Sequence, residues 1–77
     1  MVNWEDYIVS TPGVICGKPA IKGTRIGVDL ILENLASNYS FEDILSAYPR
    51  VAKEAIQACL AFAADSVRYE RLYAKAS

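Results

Sequence analysis

Lys18, Lys22 and Arg25 stand within Gly17-Lys18-Pro19-Ala20-Ile21-Lys22-Gly23-Thr24-Arg25-Ile26, a stretch that contains no acidic residue. Positive charge and backbone punctuation coincide there, which suits contact with phosphate groups. A second set follows at Arg50, Lys53 and Gln57. Arginine and lysine can hold phosphate or guanine, and glutamine can pair with adenine, so this set has the side chains of a DNA-reading helix. By spacing alone the same residues are also ordinary solvated positions of an amphipathic helix. Asp29, Glu33, Glu42 and Asp43 oppose the approach of phosphate unless Lys18, Lys22 and Arg25 lie on the same side to offset them.

Catalytic chemistry finds less support. The chain has no histidine, which removes the commonest general base and metal ligand together. A phosphate loop needs four residues between its glycines and a Ser or Thr after its lysine, whereas Gly13 and Gly17 enclose three residues and Pro19 follows Lys18. The acidic pair Glu42-Asp43 reads as the start of a helix complementing its dipole. No catalytic residue, metal site or cofactor is expected. Cys16 and Cys59 are too few and too far apart for a zinc pattern and are expected as two buried thiols.

These residues need a scaffold, and 77 residues make one small domain with little stability to spare. The apolar fraction of 53% exceeds what so small a core holds, so a homodimer or another protein partner is expected to cover the remainder. Glu5 and Asp6 stand where a secretory signal would be basic, and no apolar run reaches membrane-spanning length, so a cytoplasmic protein without membrane contact is expected. The net charge of −1 places any nucleic-acid contact on a local patch.

In chain order, residues 1–27 read as a short β segment. Pro12-Gly13 suits the centre of a type II turn between candidate strands Ile8-Val9 and Val14-Ile15-Cys16, and Gly23-Thr24 suits a second tight connection. From Val28 the period becomes helical, with Val28, Ile31, Leu32 and Leu35 on one face, Gly27 as N-cap and Asn38 as the left-handed stop. Ser40, with Asp43 three residues on, opens a second helix whose apolar face is Phe41, Ile44, Leu45 and Tyr48. Pro49 ends it and suits the first turn of a third helix. That third segment runs uninterrupted from Val51 to about Lys75. Ile56, Cys59, Leu60, Ala63 and Val67 form its expected core stripe, and Phe62, Tyr69, Leu72 and Tyr73 its expected protein-contacting edge. Residues 28–64 thus form a helix-turn-helix unit, and 65–77 a C-terminal helical extension.

The Gly17–Ile26 stretch, the amphipathic helix after it, Ser40-Phe41-Glu42-Asp43-Ile44-Leu45, Tyr48-Pro49 and Ile56 through Leu60 stand in the order that marks a known family. From about Ile8 to Ala63 the chain resembles the domain of unknown function 433 family of small prokaryotic proteins. The resemblance implies a mainly α fold: a homeodomain-like three-helix unit behind a short N-terminal β-hairpin segment, with a long C-terminal helix. It also implies an antitoxin of a type II toxin–antitoxin pair, with a PIN-like nuclease toxin as partner and double-stranded DNA bound for autoregulation. Ala52 stands where that family often has a capping Ser or Thr. Its missing hydroxyl either costs about 1 kcal/mol or moves the third helix's start toward Pro49. The alternative is a protein-interaction module that binds no DNA.

Overall fold

The computed structural model describes residues 2–68, so Tyr69, Leu72 and Tyr73 lie outside the described residues. After a 3₁₀ turn at Trp4–Asp6 come β1 (Ile8–Ser10), a second 3₁₀ turn at Ile15–Gly17, β2 (Pro19–Ile21), α1 (Val28–Ala36), α2 (Phe41–Ala47) and α3 (Lys53–Arg68). The mainly helical fold with a short β-hairpin segment is the one expected from the sequence. β1 and β2 pair antiparallel in the register Ile8↔Ile21, Val9↔Ala20 and Ser10↔Pro19. Two strands of three residues are marginal by themselves. Here β1 packs on α3 and β2 on α1, so Ile8, Ala20 and Ile21 are buried.

Short-range chemistry shapes the connections. Gly13 takes φ +86°, and the Val14 N–H donates to the Thr11 carbonyl at 3.0 Å, closing the turn that Pro12-Gly13 signals. Val14-Ile15-Cys16 is not a strand. Ile15 and Cys16 adopt φ +49° and +55°, and the Gly17 and Lys18 N–H groups donate back to Val14 and Ile15, so the backbone curls where an extended segment was expected. Ala20 and Ile21 reach the core from the position next to β1, whereas Val14 and Ile15 are only half-buried. The deeper-burying segment therefore takes the pairing. Cys16 is left exposed on this left-handed turn, so it is not the buried thiol expected.

At the second tight turn Gly23 has φ +78°, and Thr24 accounts for the rest. Its hydroxyl donates to the Ile21 carbonyl at 2.8 Å and accepts from the Ile26 N–H at 3.0 Å. The chain then enters α1 through Gly27, the N-cap. α1 closes in a Schellman arrangement: Asn38 has φ +74°, its N–H donates to Leu35, and the Tyr39 N–H donates to Asn34. α2 opens with a reciprocal capping box in which the Asp43 N–H donates to the Ser40 hydroxyl and the Ser40 N–H donates to the Asp43 carboxylate.

Pro49 does not begin α3. It lies in a turn closed by the Val51 N–H donating to the Tyr48 carbonyl at 2.9 Å, and α3 starts at Lys53 with the Ala52 carbonyl accepting from Ala55 and Ile56. Val51 is the reason: it must be buried to cover the core, and the turn places it there before the helix begins.

The face of α3 also differs from expectation. Ala55, Ile56, Ala58, Cys59 and Ala61 are buried, whereas Leu60 and Val67 are 42% and 55% exposed. Alanines take much of the buried face, and the larger Leu60 and Val67 face outward. The core centres on Ile31, Ile44, Ile56 and Cys59, all fully buried.

Candidate nucleic-acid interface

Arg25 is carried outward by the Gly23-Thr24 turn, and Arg50 by the turn between α2 and α3. Both line one open cleft of about 410 Å³, floored by Val9, Val14 and Ala20, with no carboxylate among its lining residues. The two arginines are 25 positions apart in sequence. Lys22 is exposed at the same turn as Arg25. Lys53 and Gln57 are exposed on the first turns of α3 and, four residues apart, share one face. That face continues through Leu60, Ala64 and Val67, all exposed, so α3 is polar outward at its start and apolar outward further on.

Lys18 lies elsewhere. It borders a smaller groove of about 170 Å³ lined chiefly by Pro19, Val28, Leu32 and Phe62, with Asp29 also at its edge. The groove is apolar and its rim holds both signs of charge, so Lys18 is not brought into the cleft with Arg25 and Arg50. Phe62 has a partner within the chain as well: Trp4 meets it edge-to-face with ring centroids 4.8 Å apart. The Trp4 indole N–H also donates to the Asp65 carboxylate at 2.7 Å, and the other oxygen of that carboxylate accepts from Arg68 at 2.8 Å. This clasp of the N-terminal turn onto α3 was not anticipated. Its only trace in the sequence is a single tryptophan in the lead segment and an acid late on the third helix.

Among the described residues, no three or more Cys, Asp or Glu side chains converge to hold a metal ion. None of the described helices is long and apolar enough to cross a membrane. Cys59 is a core residue, and burial pushes its thiol up to about 11 from 9.0. The raised value means that the native state keeps this proton when the unfolded state releases it. The contribution to stability is therefore complete below about pH 9 and is lost as the pH climbs toward about 11. In DTNB titration at neutral pH, Cys16 should react at once and Cys59 only after denaturant is added. Immediate reaction of both thiols would contradict the buried position of Cys59.

The hairpin, α1, α2 with its Ser40 capping box and most of α3 fall within residues 8–63, which match the model of a family described as "Protein of unknown function (DUF433)". The chain belongs to the DUF433 family. A solved DUF433 member from Anabaena variabilis ATCC 29413 superposes with a TM-score of 0.77 at 25% identity, over 83% of this chain and 63% of that one. "Uncharacterized protein y4eO" of Sinorhizobium fredii (strain NBRC 101917 / NGR234) is 30% identical over 53 residues, or 69% of this chain. The match spans 24% of that relative's length, so the chain covers about a quarter of y4eO.

Proposed function

We propose that this DUF433 chain is a DNA-binding protein of the antitoxin type, with no catalysis of its own, that represses its own gene and holds a PIN-like toxin. The observation that carries this reading is the exposed cationic surface formed by Arg25 and Arg50 at one carboxylate-free cleft, with Lys53 and Gln57 on the α3 face that follows. In a helix-turn-helix the start of the last helix enters the major groove, so Gln57 would meet bases there while Lys53, Arg25 and Lys22 meet backbone phosphate. Lys18 contributes least, since Asp29 shares its groove.

A protein partner is supported by a different observation. Leu60 and Val67 are exposed large apolar residues on the outward face of α3, and Phe62 borders an apolar groove on another side. A homodimer or a bound toxin would cover such surface. The same observation favours the second reading, an interaction module that binds no DNA.

Fluorescence anisotropy separates the two readings. The purified protein is titrated against duplex DNA from just upstream of its own gene and against a scrambled duplex, at low and physiological salt. Preferential binding that persists at physiological salt is the expected result. Equal or absent binding to both duplexes would overturn the DNA reading and leave the interaction module.

A further inference from the structure

We infer that Arg25 and Arg50 grip one and the same phosphate of the DNA backbone, acting as a two-armed clamp; this rests on the DNA-binding reading above. Each arm comes from a different turn, yet both line a single cleft to which no acid contributes. The arms are independently positioned. Gly23 and the doubly bonded Thr24 hydroxyl fix the turn that carries Arg25, and the Tyr48–Val51 hydrogen bond fixes the one that carries Arg50.

Chemistry then selects the ligand. A guanidinium is a planar fork of donors that pairs best with carboxylate or phosphate oxygens. A phosphodiester presents two non-bridging oxygens, one for each fork. The floor of Val9, Val14 and Ala20 is apolar, so it cannot compete for the anion, and it lowers the local dielectric in which the pairing occurs. The same apolar floor suits the deoxyribose beside the phosphate. A clamp of this kind sets the protein's position on the duplex without reading sequence, and it leaves base contacts to Gln57 further along.

The test is the salt dependence of DNA affinity for the full chain and for Arg25→Ala, Arg50→Ala, the double variant and Lys53→Ala. Each phosphate contact contributes about 0.9 to the slope of log affinity against log salt. With a shared phosphate, the double variant loses about 0.9 in slope, each single variant loses less, and the affinity losses are non-additive. Two separate phosphates would give a loss of about 1.8 in the double variant with additive affinity losses, and that result overturns the clamp. So does an unchanged slope in the double variant while Lys53→Ala still lowers it, which leaves the DNA reading standing. An absence of DNA binding by the unmodified chain removes both. Arg25→Lys with Arg50→Lys keeps the charges and loses the forks, so it should retain the slope and bind more weakly. Both arginines are exposed, and unchanged thermal melts of the variants confirm that the fold is intact.

Discussion

Ile56→Ala is expected to destabilise the domain by about 3–4 kcal/mol, within the range for removing a fully buried aliphatic side chain with partial collapse of the cavity. Ile56 is 0% exposed and shares the core with Ile31, Ile44 and Cys59, contributed by all the described helices. A chain of this length has total stability on the order of 4–12 kcal/mol, so the loss takes a large share of it. Urea unfolding followed by Trp4 fluorescence measures it, because Trp4 is the single tryptophan and rests on α3 through Phe62 and Asp65. Leu60→Ala is the control. Leu60 is 42% exposed, and its truncation should stay within about 0.5 kcal/mol in a monomer. A loss below 1 kcal/mol for Ile56→Ala would refute its central place. A large loss for Leu60→Ala that grows with protein concentration would show that another chain covers it.

What the sequence made legible was local. The Ser40–Asp43 box, the left-handed Asn38 and the glycine turns at 13 and 23 each depend on a few adjacent residues, and each formed as their chemistry dictates. Lys22, Arg25 and Arg50 are exposed at the turns that Gly23 and Pro49 signal, and Lys53 and Gln57 on the outward face of α3. Long-range choices were hidden. Strand pairing was decided by which segment could bury deeper, and residues 14–16 lost to 19–21 across an intervening loop. The buried face of α3 is made largely of alanines, which a pattern of large apolar residues misplaces by part of a turn. Trp4 and Asp65 meet across 61 positions, and no local signal pairs them. For the candidate site, the residue types were visible but their grouping was not. Arg25 falls with Arg50, and Lys18 falls with Phe62 at an apolar groove.

Gln57→Ala should relax sequence preference, whereas Lys53→Ala should weaken binding to every sequence, and the contrast follows from what each side chain can do. A glutamine amide donates and accepts at once, so it can match both the N7 acceptor and the N6 donor of an adenine, while an ammonium only donates and serves any phosphate. Both residues are exposed on one face of α3, so neither substitution should disturb the core. For Gln57→Ala the discrimination between the upstream duplex and its scrambled form should fall by about 1–3 kcal/mol, roughly 5- to 150-fold, with the salt slope unchanged. For Lys53→Ala the ratio between duplexes should hold while the slope falls by about 1. Competition anisotropy over a salt series reads both quantities from the same samples. If Gln57→Ala instead lowers affinity for both duplexes equally, then Gln57 reads no base and specificity must come from elsewhere on the α3 face. If neither change alters DNA binding while Leu60→Lys abolishes assembly with a partner chain, the outward face of α3 serves protein contact along its whole length. The division of that face into a polar start and an apolar continuation predicts the opposite: DNA contact at its first turns and protein contact beyond them.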